Sequence, residues 1–220
     1  MRFAAILSAL VSCLSAAEVR FLAWDDSVAA REVALIDGGG GAQPVRDLHP
    51  LQRSPALPAP AGEGLKLRLL DRQDDSGRPV ELAVRLSAGI QRPLVLLLPD
   101  PTAPGGLRGH ALEDSDVSFR WGSFRVLNAS GQALTIRLGG KRHALPAGWT
   151  PLDLHPEGGG ALPVALVAAA DAKRPLYAGA WKPDPDLRRL VIVVPGTDPR
   201  HGPLALKVIP EDRRALAETP

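Results

Sequence analysis

Five histidines, four tryptophans and one cysteine offer the most specific chemistry in this 220-residue chain. Imidazoles hold transition metals when paired at i,i+2 on a strand or i,i+4 on a helix. His49, His110, His143, His155 and His201 form no such pair, so the sequence carries no local metal motif and implies no cofactor. Acyl transfer needs a nucleophile, a base and an acid brought together, yet there is no Gly-x-Ser-x-Gly elbow. Cys13 stands apart near the amino terminus, and Ser115, Ser118, Ser123 and Ser130 have no signature around them. The glycine runs Gly38–Gly41 and Gly158–Gly160 lack the Gly-Lys-Ser/Thr ending of a phosphate loop and read as hairpin turns. No catalytic residue is expected, and the chain reads as a non-enzymatic protein.

Binding chemistry is better supplied. Trp24, Trp121, Trp149 and Trp181 fall near strand ends or turns, where an indole either packs in a core or stacks on a sugar. Trp149 and Trp181 are the candidates for ligand contact. Arg137, Lys141, Arg142 and His143 form the densest basic cluster, suited to an acidic polysaccharide or a lipid headgroup, or else a solvated hairpin tip. The whole chain is nearly balanced, with 26 basic and 24 acidic residues, which argues against a dedicated nucleic-acid binder.

These residues must be positioned by strands. Gly and Pro number 22 each, and short apolar runs alternate with turn residues throughout. Strands are predicted near Val19–Trp24, Arg31–Ile36, Leu65–Leu70, Val80–Leu86, Leu94–Leu98 and Leu107–Leu112. Their counterparts are predicted near Phe124–Leu127, Leu134–Leu138, Leu162–Ala168, Leu176–Trp181, Leu190–Val194 and Leu204–Ile209. Asp25–Ile36, taken alone, also fits a capped amphipathic helix, but its alternating counterpart Ala133–Gly140 favours a strand.

The pairing of the two sets rests on internal repeats. Asp47-Leu48-His49-Pro50 recurs as Asp153-Leu154-His155-Pro156, and Arg92–Pro99 matches Arg188–Pro195. Glu113-Asp114 and Glu211-Asp212 follow in order. The changing offset calls for about ten extra residues in the first copy, assigned to the Pro- and Ala-rich loop Gln52–Gly64. The Asp-Leu-His-Pro units read as turns, with Asp accepting backbone bonds and Pro ending the ladder. The fold expected is all-β: two tandem immunoglobulin-like β-sandwich domains arising from an internal duplication, with one larger shared sandwich as the alternative. The boundaries are a signal peptide over 1–17, repeats over 18–116 and 117–212, and a polar tail over 213–220.

Residues 1–17 read as an export signal: Arg2, an apolar run Phe3–Val11, then the small residues Ser15-Ala16-Ala17. Cleavage near Ala17 places the chain in the periplasm or outside the cell. The alternative is a lipoprotein anchored through Cys13, since Leu10-Val11-Ser12-Cys13 is similar to a lipobox. No later stretch is long and apolar enough for a transmembrane span. With one cysteine, no disulfide forms within the chain, so packing alone must hold the fold.

The segments Phe124–Ser130, Leu134–Gly140 and Leu145–Gly148 resemble the start of certain bacterial exported β-sandwich domains, including the periplasmic accessory protein of alginate O-acetylation. That resemblance covers about 25 residues, implies a non-catalytic partner in an envelope assembly, and carries over no catalytic residue; the first copy departs from it, with Trp24-Asp25-Asp26 in place of Asn128-Ala129-Ser130. The expected function is binding of an envelope protein or a polysaccharide. The alternative is an accessory role in cell-surface polysaccharide modification such as O-acetylation.

Overall fold

In the first half, alternation of apolar and polar residues lays down eight strands: β1 (Glu18–Ala23), β2 (Val33–Ile36), β3 (Ala42–Pro44), β4 (Leu57–Pro58), β5 (Gly64–Gln73), β6 (Pro79–Arg85), β7 (Pro93–Pro99) and β8 (Leu107–Glu113). The second half repeats them as β9 (Phe124–Asn128), β10 (Leu134–Leu138), β11 (Lys141–Leu145), β12 (Gly148–Leu154), β13 (Leu162–Ala168), β14 (Pro175–Trp181), β15 (Leu187–Pro195) and β16 (Leu204–Asp212). The structure, a computed structural model, describes residues 18–217 other than Ala172, Pro199 and His201. The segment 1–17 predicted as an export signal, with Cys13 and the Ala17 site, and residues 218–220 of the tail lie outside the described residues. No helix among the described residues is long and apolar enough to cross a membrane.

Each half is a sandwich of two four-stranded sheets, and the strand orders correspond one to one. The first half pairs β4-β1-β7-β8 with β3-β2-β5-β6; the second pairs β12-β9-β15-β16 with β11-β10-β13-β14. In both, the first strand runs parallel to the seventh, Phe21 beside Val95 and Val126 beside Val191, while the other ladders are antiparallel. The protein is therefore a tandem of β-sandwiches, as its sequence predicts.

Side-chain alternation then builds three apolar layers. Phe21, Val95 and Leu97 point into the first sandwich, and Val126, Val191 and Val193 into the second. The intervening residues Leu22, Leu94, Leu96 and Leu98 point the other way and meet Leu127, Leu190, Ile192 and Ile209. The two sheets that contain the parallel pairs thus pack face to face and form a seam. This is why Leu94–Leu98 and Leu190–Val194 read as unbroken apolar runs: both faces are covered. Each half keeps its own core, and the shared layer lies outside both.

The structure corrects two details of the repeat. Asp47–Pro50 lies in the β3–β4 connection, with Asp47 at φ 50, whereas Asp153 and Leu154 belong to β12, with Leu154 opposite Phe124; the two tetrapeptides are not equivalent. Nor is Gln52–Gly64 an extra loop. Ser54 bonds Phe21 through its hydroxyl oxygen and its own N–H, and Leu57 pairs with Val19. Part of the extra length comes earlier, as the helix α1 (Asp26–Ala29), whose N-cap Asp25 accepts the Val28 N–H at 3.0 Å. Helix and strand readings of Asp25–Ile36 are each right for part of it: one capped turn buries Val28, then β2 begins at Val33. The chain closes with a second short helix, α2 (Arg213–Ala217), after Glu211 and Asp212 have completed β16.

Candidate binding surface on the second half

The basic cluster sits on the β10–β11 hairpin. Leu134, Ile136 and Leu138 alternate into the core, and Gly139 and Gly140, at φ 55 and 85, make the two-residue turn that left-handed backbone allows. The strand β11 that returns is basic, so the cluster runs from the hairpin turn along an edge strand. Its ladder partners divide the four residues between two faces. Lys141 and His143 stand opposite Leu138 and Ile136 and share their inward side; Arg142 stands opposite Arg137 on the outer side.

On the inward side, the edges of β11 and β12 leave a groove of ≈ 440 Å³ that brings Lys141 and His143 together with Asp153, His155 and Glu157. Asp153 is neutralised there: the guanidinium of Arg125 donates to both its oxygens, at 2.6 and 2.7 Å. Lys141, His143 and His155 thus face one remaining carboxylate, that of Glu157. No group of three histidine, cysteine, aspartate or glutamate side chains able to hold a metal ion occurs among the described residues.

The outer face is flat. Arg137 is flanked by Arg142 on one side and Ala165 on the other, and Ala165 is followed by Ala178; the neighbouring rows pair Thr135 with Ala144 and Pro163 with Ala180. These rows contain no carboxylate. The same face of the first half pairs Arg68 with Glu81, their charged atoms 3.0 Å apart, in a row with Ala34. Two like charges directly opposite each other destabilise a ladder. The second half therefore sets two arginines side by side where the first half has an ion pair.

The tryptophans separate. Trp181 is a core residue, 8% exposed and packed on Phe124 with ring centroids 4.9 Å apart. Trp149 caps one end of the seam against Trp24, edge to face at 5.9 Å, with His110 at 5.5 Å and the Arg108 guanidinium over its ring. Lys207 lies over Trp24 and donates to the Trp24 carbonyl oxygen. Burial pushes the His110 imidazole below its ordinary value, against a backbone bond to Trp149, and lowers the Lys207 ammonium in spite of Asp25 and Asp26. Cations and neighbouring rings already occupy these indoles, so the two tryptophans singled out from sequence are not gathered with Arg137 and Arg142.

The opposite end of the seam holds buried charges that the sequence did not announce. Glu211 accepts from Arg188 at 2.5 Å and from Arg20 at 2.8 Å; Asp114 accepts from Arg53 at 2.7 and 3.0 Å and from Arg188 at 3.4 Å. Burial opposes the charge on Arg53, but Asp114 and Glu211 outweigh it and hold the guanidinium protonated. Arg188 also donates to the carbonyls of Asp114 and Phe119, and Arg125 to that of Glu113, while both guanidinium groups cover the Phe119 ring. The chain crossing from one half to the other is thereby tied down. The signal for this cluster lay in the repeat itself: an arginine ahead of each double-buried apolar run and an acid at the far end of the following strand, with Asp114 and Glu211 opposite Arg92 and Arg188.

Compared with known proteins, the chain matches no family model and no curated protein sequence.

Proposed function

We propose that this protein is an exported, non-catalytic binding module of the cell envelope that holds an acidic polysaccharide on the β10–β11 hairpin of its second half. The observation that carries this reading is the Arg137–Arg142 pair, set opposite each other on a sheet face whose paired rows contain no carboxylate. A polyanion laid across the ladder meets two guanidinium groups on adjacent strands, a spacing that suits a polymer with repeated anionic groups. The alanines at 144, 165, 178 and 180 leave the face flat enough for an extended polymer, and Lys141 continues the positive strip around the edge into the groove, beside His143. The export segment read from residues 1–17 supports the location, because it delivers the chain to where such polymers are found.

The test is affinity electrophoresis of the full chain through gels containing a polyuronate, with a neutral glucan as control. Retardation by the polyuronate alone, weakening as salt rises, is expected; the double variant Arg137→Glu with Arg142→Glu should migrate as if no polymer were present. Equal retardation by both polymers, or an unaffected double variant, overturns the reading.

A further inference from the structure

The edges of the four sheets are not equally protected. Exposed edge strands template pairing with other chains unless they are short, charged, bulged or interrupted by proline. β3 and β4 have three and two residues and end in Pro44 and Pro58. β6 carries Glu81 and Arg85, β8 carries Arg108 and Glu113, and β11 carries Lys141 and Arg142. β12 has Pro151 and a register shift, and β16 has Lys207 and Pro210. β14, the edge strand Pro175–Trp181, has no charged residue and no proline beyond its first position. Its irregularity is confined to the start, and from Tyr177 to Trp181 it pairs with β13 in unbroken register.

The equivalent strand of the first half is shielded by its neighbour. β8 approaches β6 so closely that a Cβ on Gly109 would meet Val84 Cγ2 at 2.4 Å. Gly109 stands opposite Leu97; the residue in that position of the second half, opposite Val193, is Leu206. A leucine cannot be accommodated at that spacing, and β16 accordingly lies against β14 much less than β8 lies against β6. The β15–β16 turn, at Gly202, comes near the Leu176 carbonyl, and Ala178, Gly179 and Ala180 beyond it are exposed.

We infer that β14 is a strand-addition site that takes an extended segment of another protein, small or apolar in its middle and acidic at both ends. The charges flanking the strand select that partner. Lys173 and Arg174 precede it and Lys182 follows it, all exposed. Of the nearby carboxylates, Asp186 pairs with Arg213, while Asp171 and Asp184 each accept a backbone N–H, of Lys173 and Asp186, and leave the three cationic side chains exposed. A second copy of this chain fits poorly, because the antiparallel register that pairs all seven residues sets Arg174 of one copy against Lys182 of the other. Main-chain bonds along the edge supply affinity in this mode, and the flanking charges supply direction and choice. The site does not use the arginine pair of the polysaccharide reading: it takes the backbone edge of β14, whereas Arg137 and Arg142 lie across the sheet on β10 and β11.

The experiment uses the full chain and a fluorescent nine-residue peptide: five alternating valines and threonines with two acidic residues at each end. Controls are the same peptide with lysines at the ends and one with N-methylated backbone amides. Fluorescence anisotropy should show saturable binding of the acid-ended peptide, at least tenfold weaker binding of the lysine-ended one, and none of the methylated one. The triple variant Lys173→Glu, Arg174→Glu, Lys182→Glu, checked for an unchanged circular dichroism spectrum, should reverse the preference between charged ends. The Arg137→Glu, Arg142→Glu protein should keep peptide binding, which separates this site from the polyuronate. Absence of saturable binding, equal affinity for both charged peptides, or binding of the methylated peptide overturns the inference. So does a dimer in sedimentation that the acid-ended peptide fails to dissociate, which would give the edge to a second copy.

Discussion

The two halves share a strand order but not a surface. Where both must bury the same layers, they use the same alternation: Phe21 and Val126 inward, Leu22 and Leu127 onto the seam. Where nothing needs to be buried, they diverge. The first half neutralises its outer face with Arg68 and Glu81 and closes its edge with Gly109; the second sets Arg137 against Arg142 and leaves β14 open. The first half thus shows what the fold requires, and the departures of the second mark features that the fold alone does not explain.

The largest effect expected from testing this comparison lies at the seam, where both halves depend on one network. Glu211→Gln leaves Arg188 and Arg20 without their carboxylate in a site 7% exposed, and should cost about 3–5 kcal/mol in chemical denaturation. The exposed pair offers the contrast: Glu81→Gln should cost about 1 kcal/mol or less. Next comes the turn after the first strand of each half. Asn128, fully buried, donates to the carbonyls of Gln132 and Leu145 and accepts from Ser130, whereas Ala23 holds the same ladder position in the first half and α1 makes the turn. Asn128→Ala should therefore cost about 1–3 kcal/mol by stranding those carbonyls.

Gly109→Ala drives a methyl into Val84 and should lower stability by about 1–3 kcal/mol. Smaller and opposite in sign is Arg142→Glu, which places opposite charges across the ladder and should raise stability by about 0.2–1 kcal/mol while weakening retention by the polyuronate. The smallest effect is a pH slope. His110 is held below its ordinary value in the folded state, so below about pH 6.5 the unfolded chain binds more protons and stability falls as pH falls. His110→Gln should flatten that part of the curve of Tm against pH.

Twelve of the strands were legible because they cross cores, and burial writes itself into sequence as apolar runs. β3, β4, β11 and β12 were not, because they are short, proline-bearing or charged and bury few side chains, so no apolar run marks them. The Asp-Leu-His-Pro tetrapeptides misled for the complementary reason, since four identical letters say nothing of register. The basic cluster was visible as composition, but its division between two faces needed the pairing of Arg137 with Arg142 and Ile136 with His143. Trp149 and Trp181 looked alike in sequence and differ in place because one lies at the seam and the other inside a core.

The face-to-face seam also sets a timetable. The first half has all its strands once Glu113 has left the ribosome, but Leu22, Leu94, Leu96 and Leu98 have no cover until Leu190 and Ile192 arrive. Between those moments a nearly finished sandwich presents an apolar sheet face to water, the condition under which nascent chains aggregate or engage chaperones. The second half is thus the cover of the first, and the exposure ends only when β15 has been made.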